Sequence, residues 1–151
     1  MKRIAAAIAV MAIFAGPAAA KAPSVERLFN DLGLFGVWAG DCAAPPSLDN
    51  PHVSVGMPQP GAVLEQHDFG SGYEPNRYAI RAARRLSGHR LALDARFERA
   101  GAEPQRQLIV MTVEAGRRRT IFTGTEDAPP RVLNGIATAN GAPTPTLKKC
   151  D

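Results

Sequence analysis

The chain after residue 34 is dominated by short segments in which apolar and polar residues alternate. In the clearest of them Leu91, Leu93, Ala95 and Phe97 alternate strictly with small or charged residues. A two-residue period is typical of a strand with one buried face. The pattern predicts eight or nine strands, with candidate segments at residues 35–42, 52–57, 62–69, 77–86, 90–99, 105–114, 117–123, 132–138 and 144–150.

One short helix is predicted before the strands. Ser24 is a good N-cap residue, and apolar residues at helical spacing follow it up to Gly33, a natural helix stop. No later segment is long enough for a helical crossover, and short turns such as 87–89 join the strands. We therefore expect an all-β, mainly antiparallel fold, an up-and-down barrel of eight or nine strands. A two-sheet sandwich is the alternative.

The first twenty residues have the features of a secretory signal. Lys2 and Arg3 precede an unbroken apolar run over residues 4–14, which is too short to span a bilayer. Small residues then lead to a predicted cleavage after Ala20, with cleavage after Ala22 as the alternative. We expect an exported protein, periplasmic or secreted, with no transmembrane segment after cleavage. The predicted organisation is a signal peptide over 1–20, a helix and lead-in over 21–34, and one barrel domain over 35–151.

Charge is distributed unevenly along the mature chain. The signal removes two bases and no acid, which leaves 16 bases, 14 acids and a net charge of +2. Residues 21–76 carry a net charge of −5, and residues 77–119 carry +7. Such asymmetry is typical of proteins that meet an anionic partner. Nucleic acid is not expected as that partner, because the protein is exported and offers no stacking aromatics.

Two cysteines, Cys42 and Cys150, lie near opposite ends of the predicted domain. In an oxidising compartment such a pair normally forms a disulfide. A metal site needs more ligands than two distant cysteines provide. We therefore expect a disulfide that ties the first strand to the last.

The segment Gly36-Val37-Trp38 follows the predicted helix and resembles the G-x-W opening of lipocalins and related calycin barrels. The resemblance implies that Gly36 allows close packing and that Trp38 fills one barrel end. It also implies that a basic side chain near the last strand covers the indole, namely Lys148, with Lys149 or Arg131 as alternatives. The second lipocalin motif, Thr-Asp-Tyr, is missing.

Small bacterial protease inhibitors use a similar barrel, so the motif alone does not select a ligand. The wider pattern GLFGVWAGDC, PP, NPHV, NRY and LKKC is similar to small uncharacterised exported proteins of alphaproteobacteria.

Arginines form a candidate anion-binding face. On an uninterrupted strand Arg77, Arg81 and Arg85 share one side, and Arg90 and Arg96 extend it across the next hairpin. Guanidinium groups bind carboxylates and phosphates well. An ordinary solvated surface, with neighbouring acids as the ion-pair partners, is the competing interpretation.

No motif for catalysis is present. The sequence has no G-x-S-x-G, no phosphate-binding loop and no zinc-binding helix motif. His67-Asp68 lacks metal-ligand spacing, and Glu65 with Asp68 is a carboxylate pair of a kind that any acidic surface offers. We expect no enzyme activity, no cofactor and no metal.

The leading hypothesis is a periplasmic binding module that takes a small ligand in the barrel or a protein partner on its loops. In the second case it would resemble an inhibitor of a protease or lysozyme and would use loops such as 71–76 or 125–131. The alternative is a structural, envelope-associated protein that contacts anionic polymers through the arginine face.

Overall fold

The structure is a computed structural model that describes residues 23–150. The predicted signal segment lies outside the described residues. Helix α1 spans Val25–Asp31, and the Ser24 side chain accepts a 3.2 Å hydrogen bond from the backbone N–H of Arg27. The predicted N-cap is therefore confirmed. In the described range no helix has the length and apolar character needed to cross a membrane.

Ten strands follow the helix. Their bounds are β1 Gly36–Ala39, β2 His52–Gln59, β3 Ala62–Asp68, β4 Asn76–Arg85, β5 Arg90–Glu98, β6 Gln105–Glu114, β7 Arg117–Gly124, β8 Val132–Leu133, β9 Ile136–Ala137 and β10 Thr146–Cys150. The predicted strand over 132–138 is in fact the short hairpin β8–β9. Asn134 and Gly135 both adopt positive φ values at its turn, which is the backbone geometry of a two-residue hairpin turn.

Eight of the strands close into a barrel. Strands β1 to β7 pair antiparallel in chain order, and β10 pairs antiparallel with both β1 and β7. This arrangement confirms the predicted antiparallel barrel rather than the sandwich, and it removes the open edges that a flat sheet would have. The β8–β9 hairpin lies beside the barrel, where β8 pairs with Phe122 and Thr123 of β7.

The core is packed with large side chains. The predicted inward residues of β5, Leu91, Leu93, Ala95 and Phe97, are all buried. The largest fully buried side chains include Trp38, Phe29 and Leu34. We call the end of the barrel that α1 covers the helix end and the opposite end, where Phe97 lies, the far end.

The predicted disulfide is confirmed. Cys42 and Cys150 are bonded, with their Cα atoms 5.6 Å apart, across a sequence separation of 108 residues. Cys42 lies just after β1, and Cys150 ends β10, where it pairs with Val37. The bridge therefore holds the closing strand of the barrel against the first one.

Candidate functional site

A buried ion pair crosses the barrel interior. Glu65 of β3 and Arg118 of β7 are 2% and 4% exposed. The two guanidinium nitrogens of Arg118 donate to the two carboxylate oxygens of Glu65 over 2.9 and 2.8 Å. This bidentate geometry is the strongest form of a charge-assisted hydrogen bond. The strands that carry the two residues lie on opposite sides of the barrel, so the pair fills the space between them.

Arg118 also covers Trp38. Its guanidinium carbon lies 5.5 Å from the centre of the indole ring, and the indole N–H donates to the carbonyl oxygen of Leu34 over 2.8 Å. The prediction that Trp38 is a buried plug is consistent with these contacts. The predicted cation was wrong, however, because Lys148 follows the buried Leu147 on β10 and therefore points to the outside of the barrel, where it is exposed.

Gly36 has a different basic neighbour. A Cβ at this position would lie 3.2 Å from Cε of Lys149, so the glycine leaves room for that side chain. The ammonium group of Lys149 donates to the carbonyl oxygen of Gly33 over 3.0 Å. Lys149 therefore ties β10 to the end of α1 and does not cover the indole.

The carboxylate of Glu65 is held in its charged form. Burial alone would raise its pKa, but the charge of Arg118 and the hydrogen bonds from His67 and Arg118 outweigh burial and lower the pKa to about 2. His67 Nε2 lies 3.3 Å from the carboxylate. A carboxylate with these partners is poorly suited to accept or donate protons near neutral pH.

Aromatic rings line the far end of the interior. The ring centre of Tyr78 lies 4.7 Å from that of His67 and 5.1 Å from that of Phe97, and the guanidinium carbon of Arg131 lies 6.0 Å from the Phe97 ring. Burial, together with the negative charge of Glu65, raises the pKa of Tyr78 to about 12. Tyr78 is therefore a neutral phenol and not a base.

Asp68, the other member of the candidate carboxylate pair, does not face this interior. Asp68 is exposed and accepts a 2.8 Å hydrogen bond from the backbone N–H of Gly70. It therefore forms no carboxylate pair with Glu65. Within residues 23–150 no group of three or more His, Cys, Asp or Glu side chains is arranged to hold a metal ion. Gln107 is also buried, and no described residue hydrogen-bonds its amide.

The predicted arginine face divides at a β-bulge. Arg77 lies directly opposite Glu98 in the β4–β5 ladder, but Arg81 has no opposite residue on β5 and shifts the register by one residue. Beyond the bulge Arg85 pairs with Leu91, which is a core residue. Directly opposed residues point to the same side of a sheet. The prediction that Arg77, Arg81 and Arg85 share one side was therefore wrong.

The remaining arginines of that prediction have local partners. Arg96 forms a 3.2 Å ion pair with Glu98, and Nε of Arg90 donates to the carbonyl oxygen of Ser87 over 3.1 Å. All five arginines are exposed, but they do not form one continuous face.

Arg106 forms ion pairs on the outside of the barrel, towards the far end. Arg106 makes a 2.7 Å contact with Asp94 and a 2.8 Å contact with Glu126. The hydrogen bond from Arg106 holds the pKa of Asp94 below its usual range. A groove of about 240 Å³ lies beside this cluster, and Leu108 and Phe122 supply part of its lining.

The loop between β1 and β2, residues 40–51, is held by Asn50. The amide nitrogen of Asn50 donates to the carbonyl oxygens of Asp41 and Pro45 over 2.9 and 3.3 Å, and its Oδ1 accepts from the backbone N–H of Asp41. The disulfide at Cys42 fixes the same loop. Leu48, in contrast, is 59% exposed, so a rigid loop presents an apolar side chain to solvent.

Both loops proposed for protein contact are held by neighbouring parts of the structure. The loop after β3 packs on the loop of residues 40–51, which we call the Asn50 loop. The contact is so close that a Cβ at Gly70 would overlap the carbonyl oxygen of Pro46. The loop after β3 also carries Tyr73, which is 54% exposed. The loop over 125–131 is tied down by the ion pair at Glu126 and by a 2.8 Å hydrogen bond from Arg131 to Thr123.

Sequence reasoning missed the interior pair. One signal was available, since Val63, Glu65 and His67 share one side of a strand and Val63 is a typical core residue. The resemblance to lipocalins stays a prediction that rests on Gly36 and Trp38. The chain matches no protein-family model, no curated protein and no solved structure.

Proposed function

We propose that the mature chain is an exported binding module whose barrel is a filled scaffold and whose partner binds to the outer surface and loops. The observation that carries this proposal is the Glu65–Arg118 pair, packed against Trp38, which occupies the interior where a carrier barrel of this strand number would hold its ligand. The disulfide supports an oxidising compartment.

Displacing the interior pair for a ligand would be unfavourable. A ligand at the level of Trp38 would have to separate two charges that are each at least 95% buried, and an unpaired buried charge is destabilising by several kcal/mol. The outer wall and the loops carry no such penalty. The proposal also assigns no reaction to the interior, because Glu65 is locked in its ion pair.

Native mass spectrometry of the mature protein, purified from the periplasm of its own host, tests the proposal. We expect a mass without any added small molecule, lower than that of the reduced chain by two hydrogen atoms. The same sample sprayed under denaturing, non-reducing conditions is the control and should give the same mass. A small molecule that stays bound under native conditions and leaves on denaturation would contradict the filled-scaffold proposal.

A second candidate, inhibition of a secreted hydrolase, is favoured by the rigid Asn50 loop. Preorganised loops lose little conformational entropy when they bind, and Leu48 supplies an exposed apolar anchor that lies in the same loop system as the Tyr73 loop. The loops of this region also carry several of the acids that give residues 21–76 their negative charge.

Titration of the mature protein into lysozyme and into secreted serine and metalloproteases tests the second candidate. We expect stoichiometric inhibition of at least one of these enzymes, weakened about 30-fold or more by Leu48→Asp, since loss of a buried anchor residue typically costs about 2 kcal/mol or more. Leu133→Asp, which changes another exposed leucine on the hairpin β8–β9, is the matched control and should inhibit normally. Unaltered activity of every enzyme would remove this candidate.

A further inference from the structure

An apolar row runs across the outside of the barrel from β6 to β9. Val110 pairs with Phe122, Phe122 with Leu133, and Leu133 with Ile136. Directly opposed residues share one side of a sheet, so the four side chains form a continuous line. Leu133 and Ile136 are 48% and 39% exposed, and Leu108, beside Phe122, is 46% exposed. Exposed apolar side chains that adjoin one another mark an interaction surface.

The hairpin that carries part of this row is firmly anchored. The guanidinium group of Arg119 donates to the carbonyl oxygen of Gly135 over 2.8 Å and to the hydroxyl of Thr144 over 3.1 Å. A Cβ at Gly135 would lie 2.9 Å from the same guanidinium, so glycine is needed for this close approach. Leu133 and Ile136 are therefore held in place on either side of the turn.

Basic side chains lie on the same outer side of the barrel, nearer to the helix end than the apolar row. Arg117 of β7 and Lys148 of β10 are directly opposed and exposed, and directly opposed like charges are destabilising. Glu114 is also directly opposed to Arg117 across the β6–β7 turn, but its carboxylate lies 3.8 Å from Nε2 of His89 and not within 4 Å of the Arg117 guanidinium. Within the described residues neither Arg117 nor Lys148 lies within ion-pair distance of a carboxylate.

On the other side of the row, towards the far end, two carboxylates share one guanidinium group. Asp94 and Glu126 both contact Arg106. The outer wall is therefore divided into three bands. An ion-paired band lies towards the far end, an apolar band lies in the middle, and towards the helix end lies a basic band whose charges have no carboxylate partner among residues 23–150.

We propose that this wall, which we call the β6–β10 wall, binds the surface of an anionic phospholipid membrane. A lipid surface presents phosphates beside an apolar layer, which matches an unpaired basic band beside an exposed apolar row. A soluble polyanion would use the basic band alone and leave the apolar row in water. The inference rests on the proposed function, since it names the partner of an outer surface.

Sedimentation with vesicles tests the inference. Oxidised mature protein is mixed at low salt with vesicles of phosphatidylglycerol and phosphatidylcholine in equal parts, or with vesicles of phosphatidylcholine alone. We expect binding to the anionic vesicles at least about tenfold tighter than to the neutral ones, and weaker binding as salt is added.

Two double variants separate the charged and apolar contributions. Arg117→Ala with Lys148→Ala should weaken binding to anionic vesicles about 30-fold, which corresponds to ~1 kcal/mol for each basic residue near a lipid surface. Leu133→Asn with Ile136→Asn should weaken it about tenfold through lost apolar contact. Leu108→Asn, on a barrel strand, gives a second apolar test that does not depend on the hairpin.

Arg77→Ala with Arg81→Ala is the matched control, because it removes the same charge from β4 outside the wall. Binding that this control weakens as much as the wall variant does, binding that the apolar variants leave unchanged, or binding to soluble polyphosphate without binding to anionic vesicles would each overturn the inference. A bare native mass together with any of these results would leave the filled-scaffold proposal standing. A bound small molecule in the native spectrum would instead contradict that proposal, whatever the vesicles show.

Discussion

Replacing Glu65 by alanine should destabilise the folded protein by about 3–5 kcal/mol, measured by urea unfolding at neutral pH. The variant leaves Arg118, which is 4% exposed, as an uncompensated charge in the barrel interior. The lost pair is bidentate, with contacts of 2.8 and 2.9 Å. A loss of this size is a large share of the 5–15 kcal/mol that typically stabilises a domain.

Two controls separate burial of charge from simple loss of contacts. Glu98→Ala removes the partner of an exposed ion pair with Arg96 and should change stability by less than about 1 kcal/mol. The double variant Glu65→Leu with Arg118→Met replaces both charges by apolar groups and should be far more stable than Glu65→Ala. Equal stability of Glu65→Ala and the wild type would show that the interior pair is not buried as described.

The same pair makes stability depend on acid pH. Because the pKa of Glu65 falls from an ordinary value of 4.5 to about 2 in the folded state, the unfolded chain binds this proton more readily. The contribution of Glu65 is complete above about pH 4.5 and is lost as the pH falls towards 2. As the pH falls from about 4.5 towards 2, the free energy of unfolding should therefore decrease less for Glu65→Gln than for the wild type. Identical dependences of this free energy on pH would contradict the lowered pKa.

The strand pattern was predictable because each barrel strand buries one side. The alternation in β5 predicts its core residues directly, and the capping residue Ser24 predicts the start of α1. The split of residues 132–138 into β8 and β9 was also encoded, since Asn134-Gly135 is a strong signal for a two-residue turn. The turn was missed because the residues on both sides of Asn134-Gly135 also fit one continuous strand over 132–138.

The interior pair and the basic band depend on information that a single strand does not contain. Arg117, Arg118 and Arg119 are identical residues in a row, so the sequence cannot indicate which of them points inwards. Only the pairing of β7 with β6 and β10 decides that Arg118 lies inside. The sequence also gives no sign of the bulge at Arg81, because one inserted residue reverses which side chains face inwards without changing the composition of the strand.

The disulfide should be the largest single covalent contribution to stability. Cys42→Ser with Cys150→Ser opens a loop of 108 residues, for which loop entropy gives a loss of about 4–5 kcal/mol and measured values for native disulfides in small domains usually run from about 2 to 5. The thermal midpoint should therefore fall by roughly 10–20 °C. Amide hydrogen exchange should rise most in β10, because this short closing strand is the one that the bridge holds.

Reduction of the wild type provides the matched comparison for the serine variant. Both should reach the same lowered midpoint, and the reductant should not lower the variant any further. The barrel should persist in both, since β10 keeps its backbone pairing with β1 and β7 when the sulfur bond is absent. Equal thermal midpoints for the oxidised and reduced wild type would mean that backbone hydrogen bonds to β1 and β7 are enough to hold β10 in place. Loss of the barrel spectrum on reduction would mean instead that this backbone pairing is insufficient and that closure of the barrel depends on oxidising conditions.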